Sequence, residues 1–161
     1  MATQTINYAA EAAITATNLN SLANNAAKPL PAVDNSSTKA VDYKVYFEAT
    51  LGASGVSATG TLEIYLIEST EGVAPDYTDG IDPAGTSDIA SSIKNATLMR
   101  VLNANANGQV VRCVFDLTGD LRGTNRVCPK YWALVVLNKS GAALHASAHE
   151  VTQTAIKYDL A

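Results

Sequence analysis

From Val41 onward the chain alternates strictly between apolar and polar positions. Val41, Tyr43, Val45, Phe47, Ala49 and Leu51 fall on one face, and Asp42, Lys44, Tyr46, Glu48 and Thr50 on the other. A period of two marks a strand buried on one side. After a Gly- and Ser-rich loop over 52–60, Leu62, Ile64 and Leu66 resume the inward phase within 61–67, so the two runs are expected to pair as a long antiparallel hairpin. A short helix is expected near 87–93, followed by strands over 97–102 and 109–117 with Asn107-Gly108 as the turn between them. The run 131–137 is apolar on both faces, as a central strand covered on both sides should be. Two last strands, about 142–148 and 152–160, bring the total to seven or eight.

Short strands at this spacing, separated by turn signals and without βαβ alternation, predict an all-β fold. The expected architecture is an antiparallel β-sandwich of jelly-roll or Greek-key-like order over residues 41–161. Residues 1–40 differ: they are rich in Ala, Asn and Thr and carry scattered apolar anchors at Ile6, Ile14, Leu19, Leu22 and Leu30. They read as an N-terminal arm, partly helical between about Tyr8 and Leu22 and extended through Pro29-Leu30-Pro31. No charged segment followed by a continuous apolar core opens the chain, so no secretory signal is expected.

Composition adds a surface property. Of the 161 residues, 27 are alanine and only 16% are charged, so the exterior must be covered largely by small uncharged groups, which suits contact with other protein. A net charge of −4 argues against a general nucleic-acid binder, and no apolar run is long enough to span a membrane. The charge is uneven. Residues 45–93 hold eight acids and no base, whereas 94–161 hold eight bases and four acids. Complementary faces for head-to-tail contacts would follow if that split became spatial, and sheet pairing would erase it if the halves interleave.

Several residues invite a chemical reading. Glu68, Glu71, Asp76, Asp79, Asp82 and Asp88 form an acidic loop, but it lacks the alternating spacing and closing Glu of a calcium loop, so a solvated loop is expected. His145 and His149 have the spacing of a helical zinc pair but lie in a strand or turn without an evident third ligand. Cys113 and Cys128 are expected as free thiols. No nucleophile elbow or phosphate-binding loop occurs, so no enzyme activity, catalytic residue, cofactor or metal is assigned. Tyr46, Tyr65 and Trp132 lie opposite the main apolar stripe and are expected as an outward aromatic row, fit for a neighbouring subunit or a carbohydrate.

A resemblance rests on the run Leu19-Asn20-Ser21-Leu22-Ala23, the polar lead-in Asp34-Asn35-Ser36-Ser37-Thr38, and Gly60-Thr61-Leu62-Glu63-Ile64-Tyr65-Leu66. It continues through Tyr77-Thr78-Asp79-Gly80, the run 131–138 and Ser140-Gly141-Ala142. In this layout the chain resembles virion structural proteins of tailed bacteriophages, especially head decoration (cement) proteins. The resemblance implies a non-enzymatic sandwich, made in the bacterial host cytoplasm and bound to the capsid exterior. Its partners would be the major capsid protein and copies of itself, as dimer or trimer. Leu19, Leu22, Leu30 and Pro31 would then pack across a subunit boundary as the arm orders on assembly. The alternative on the same fold is a carbohydrate-binding module of a tail or fibre-associated protein.

Overall fold

The alternation that starts at Val41 becomes a nine-residue strand, and the computed structural model describes it together with the rest of residues 4–73, 76–119 and 127–160. In chain order the strands are β1 (Gln4–Tyr8), β2 (Ala12–Ala13), β3 (Ala27–Pro29), β4 (Val33–Asp34) and β5 (Asp42–Thr50). They continue with β6 (Thr61–Ser69), β7 (Thr97–Asn103), β8 (Val110–Asp116), β9 (Tyr131–Lys139) and β10 (Glu150–Leu160). Two antiparallel five-stranded sheets pack face to face as a β-sandwich. Sheet A runs β1-β10-β5-β8 with β2 also on β10; sheet B runs β3-β9-β6-β7 with β4 also on β9.

Between the sheets lies one core. Tyr43, Val45, Phe47, Ala49 and Leu51 from sheet A meet Leu62, Ile64, Leu66, Trp132, Leu134 and Val136 from sheet B, as their alternation predicts. The partners of these strands differ from expectation. β5 and β6 do not form a hairpin: β5 pairs with β10 and β8 in one sheet, and β6 with β9 and β7 in the other. Asn107-Gly108 is likewise a turn, with Gly108 at φ 64°, but it carries the chain from sheet B to sheet A. Four of the five connections from β5 to β10 cross between sheets. Alternation records which face of a strand is buried and is silent on which strand lies beside it. The crossings are tight. A Cβ on Gly60 would stand 2.4 Å from the Ala104 carbonyl oxygen and 2.6 Å from that of Ser140.

Three further elements change. The expected strand over 142–148 shrinks to a single bridge between Leu51 and Leu144, and residues 87–93 form turns and bends without a helix. The expected helix near the N-terminus is reduced to a 3-10 turn, Thr17–Leu19. Of the partly basic loop over 118–129, residues 120–126 lie outside the described residues.

The largest correction concerns residues 4–40, which are part of the sandwich itself. β1 and β2 lie along β10, and β3 and β4 lie along β9, so this segment supplies an edge to each sheet. Between them the chain passes from one sheet to the other, and Leu19, Leu22 and Leu30, each at most 2% exposed, enter the common core. Strand edges present unpaired backbone groups that need cover, and here the N-terminal segment covers them in cis. Asn138, fully buried, holds the junction. Its Nδ2 donates to the Leu22 and Ala142 carbonyls at 2.8 Å each, and its Oδ1 accepts from the Ser140 N–H at 3.0 Å.

Two outcomes follow. Leu22→Ala should cost about 2–5 kcal/mol in denaturant unfolding, the usual range for a buried Leu cavity. Deleting residues 2–38 removes three buried leucines and two sheet edges, each leucine worth about 1.5–3 kcal/mol, from a fold whose whole stability is about 5–15 kcal/mol. The truncated chain should show no cooperative unfolding transition by circular dichroism; a cooperative transition would mean that 41–161 folds alone.

Candidate interaction surface

The two sheets treat their outer faces differently. In β9 the side chains of Ala133, Val135 and Leu137 point away from the main core, yet they are buried, because the segment between β6 and β7 folds back across sheet B. Tyr77, Ile81, Ile89 and Ile93 from that segment cover them, together with Ala27 and Ile67, as a second apolar layer.

Acids pin this cover in place. Asp79, in the left-handed region at φ 62°, points its Oδ2 at the backbone N–H groups of Lys94, Asn95 and Ala96 (2.7, 2.8 and 3.1 Å), and its Oδ1 accepts from Asn95 Nδ2 at 2.7 Å. Burial alone would raise the Asp79 carboxyl, but these four donors outweigh it and hold it below the ordinary carboxylate range. Asp88 Oδ1 accepts from the N–H groups of Ala27 and Ala90 at 2.9 and 3.0 Å, which lower its pKa as well. Asp82 caps the Ala84 N–H. Three of the six acids of the run are thus tied to backbone N–H groups. Among the described residues no three His, Cys, Asp or Glu side chains converge as a metal-ligand set.

The aromatic residues expected in one outward row are separated. Trp132 is fully buried in the main core, its ring 5.1 Å from that of Tyr43 at a 58° tilt, because Trp132, Leu134 and Val136 share the inward phase of β9. A strand apolar on both faces carries no alternation to reveal which side faces the core. Tyr46 and Tyr65 do lie on outer faces, half-buried and on opposite sheets. Each belongs to a triad that sequence reading missed. Tyr46 and Arg112 Nε both donate to Glu48 Oε2 at 2.6 Å; on sheet B, Tyr65 donates to Glu63 Oε2 at 2.5 Å while Lys139 Nζ donates to Glu63 Oε1 at 2.8 Å. The available signal was a Tyr and a Glu two apart on one strand, which share a face. Burial, then the bond to Glu63, pushes the Tyr65 hydroxyl up to about 12. These ion pairs join acids of 45–93 to bases of 94–161, so at Glu48 and Glu63 sheet pairing interleaves the two charge blocks.

Leu19, Leu22 and Leu30 are core residues of their own chain, whereas Pro31 is exposed and lines a depression of about 170 Å³ with Ala32, Gly72, Tyr77 and Pro83. Neither Cys113 nor Cys128 is in a disulfide. Cys128 is buried beside Asn35 Nδ2 at 3.5 Å, and burial, reinforced by Asp42 and Glu68, raises its thiol to about 12. Asn35 also accepts the Tyr43 hydroxyl at 2.9 Å. His149 is similarly committed. The His145 carbonyl, an acceptor, lies 2.9 Å from its Nε2, so Nε2 carries the proton and Nδ1 accepts the Thr50 N–H at 3.3 Å. Burial pushes this imidazole below its ordinary value, against the opposing pull of the bond to the His145 carbonyl.

Among the described residues no such layer covers sheet A. Its outer face keeps Ile6, Tyr8, Val110, Val114 and Tyr158 exposed, five of the nine exposed large apolar side chains among the described residues. Neither a family model nor a curated protein sequence matches this chain.

Asp79→Ala should destabilise the protein by about 1–2 kcal/mol, the scale of lost charge-assisted hydrogen bonds at a largely solvated site. Hydrogen exchange should quicken first at Lys94, Asn95 and Ala96. The His149 contribution is full above the ordinary histidine value of 6.5 and is lost as pH falls through it toward the lower folded value. The unfolding midpoint should therefore drop on acidification from pH near 7.5, and His149→Gln should flatten that drop; an unchanged slope would contradict the assignment.

Proposed function

We propose that this chain is a non-enzymatic structural protein of a bacteriophage virion, a decoration (cement) protein that binds the exterior of the major capsid shell and stabilises it by bridging subunits. The observation that carries the reading is the uncovered outer face of sheet A, with five large apolar side chains exposed on a molecule only 16% charged. Such a surface has the chemistry of protein–protein contact. The groups that would otherwise suggest catalysis are tied into the fold: the Tyr46 and Tyr65 hydroxyls donate to carboxylates, the Cys128 thiol is held protonated, and His149 is bonded through both ring nitrogens.

Bridging does not use the buried leucines of residues 1–40, since Leu19, Leu22 and Leu30 are consumed by the core. What remains for contact on the capsid side is the outer face of sheet A, together with the small-residue exterior and the exposed rim around Pro31. The carbohydrate alternative loses its aromatic platform, because Trp132 is buried and Tyr46 and Tyr65 lie on different sheets. No helix among the described residues is long and apolar enough to cross a membrane.

Immunogold labelling of virions whose genome encodes this chain tests the reading. Label distributed over the head is expected, with heads assembled without the protein rupturing at lower temperature. Label confined to tails, or heads of unchanged thermal stability, would overturn it.

A further inference from the structure

The depression beside Pro31 has two walls. Pro31 and Ala32, between β3 and β4, form one; Gly72, Tyr77, Asp82 and Pro83, from the segment between β6 and β7, form the other. Tyr77 belongs to the second apolar layer and is only 4% exposed. The hydroxyls of Tyr43, Tyr46 and Tyr65 each donate to an oxygen, but that of Tyr77 has no hydrogen-bond partner among the described residues. Nor is its oxygen sealed from solvent, so the small exposed part of Tyr77 is where its polar end opens on the depression. Asp82 stands in the same wall. Its Oδ1 accepts the Ala84 N–H at 2.9 Å, which leaves Oδ2 with no bond among the described residues. Burial first, then Tyr131, Asp34 and Asp82, raise the Tyr77 pKa, so a neutral hydroxyl looks into a negative field. Lys130, the base that acts on Asp34, holds its Nζ 5.2 Å from the centre of the Tyr131 ring and does not line the depression.

We propose that this depression is a receptor for a single lysine side chain of a partner protein, whose ammonium group donates to the Asp82 carboxylate and the Tyr77 hydroxyl oxygen while its aliphatic stem lies against Pro31, Ala32 and Pro83.

Size and charge select this occupant. At about 170 Å³ the depression holds one side chain, whereas sites for whole small molecules run to about 300–1,000 Å³. Two prolines and an alanine suit the methylene stem of a long amphipathic side chain. The one charged residue in its walls is an acid, so a cation is the complementary ligand. Ammonium fits better than guanidinium. A bidentate fork needs both carboxylate oxygens, and Asp82 Oδ1 already serves the Ala84 N–H, whereas an ammonium can place separate donors on Asp82 Oδ2 and on the Tyr77 oxygen. An apolar side chain would cover both polar groups and leave them unpaired. Packing of the Tyr77 ring and the Asp82 cap hold the two acceptors in place before a partner arrives, which lowers the ordering cost of binding. The capsid reading assigns no chemistry to the Pro31 rim, and the receptor does not depend on it.

Nuclear magnetic resonance titration of the purified full chain with Nα-acetyl-lysine amide tests the receptor with no virion present, and so separately from the capsid reading. Saturable shifts are expected at the Gly72, Tyr77 and Asp82 amides, with a dissociation constant of about 1 mM, the affinity of a ligand of roughly a dozen heavy atoms. Nα-acetyl-norleucine amide keeps the stem without the ammonium and should bind about 10-fold more weakly, and the arginine analogue should also bind more weakly than lysine. Asp82→Asn, which retains an oxygen for the Ala84 N–H, should weaken lysine binding about 10-fold, and Tyr77→Phe about 5-fold. Because the Tyr77 hydroxyl makes no bond to a described residue, Tyr77→Phe should leave the thermal unfolding midpoint as high as in the wild type. Absence of saturable shifts up to about 20 mM would overturn the proposal. So would norleucine binding as tightly as lysine, arginine binding more tightly, either variant binding like the wild type, or a lowered midpoint for Tyr77→Phe, which would make its hydroxyl a structural bond.

Discussion

Strand β9 sets the terms for the rest of the molecule, because seven consecutive residues in it, Trp132 to Asn138, are buried. A strand with two apolar faces needs two layers, one over each face, and a neighbour along each edge. Sheet A supplies the layer over Trp132, Leu134 and Val136; the segment between β6 and β7 supplies the layer over Ala133, Val135 and Leu137. The edges are met by β6 on one side and by β3 and β4 on the other. The placement of β3 and β4 and of the acidic segment both follow from this one strand's demand for cover.

Acidic side chains and buried amides solve the backbone problem that such covering creates. Irregular segments laid over a sheet carry N–H and C=O groups with no ladder to join, and leaving them unpaired costs about 1–3 kcal/mol each. Asp79 and Asp88 satisfy five N–H groups of the cover and of β3 between them. Asn138 and Asn35 do the equivalent work at the two places where the N-terminal segment enters the core. Within what composition presents as a block of negative charge, Asp79, Asp82 and Asp88 are, in space, backbone clamps.

This asymmetry between the sheets links the fold to its proposed role. One outer face is partly covered by the chain itself, over Ala133, Val135 and Leu137; the other keeps Ile6, Tyr8, Val110, Val114 and Tyr158 exposed beside two cross-strand ion pairs. The proposed role rests on this broad, weakly charged sheet face.

Much of the sandwich is legible in residue order. Period-two alternation from Val41 to Leu51 and from Leu62 to Leu66 places those side chains in the core, and the two-faced run at 131–137 marks a central strand, because burial on a strand is a local property of every second residue. Gly108 in a left-handed turn is local too. Pairing is not. Whether β5 lies beside β6 or beside β8 and β10 depends on contacts between residues far apart in sequence, and only the tertiary structure decided it. The same holds for Trp132, whose inward direction is hidden in a run without alternation, and for Leu19, Leu22 and Leu30, whose sparse spacing reads as an arm until both sheet edges stand ready to receive them. The outer face of sheet A belongs to that second class: Ile6, Val114 and Tyr158 come from three distant segments, and only the register of β1, β10, β5 and β8 makes them one surface.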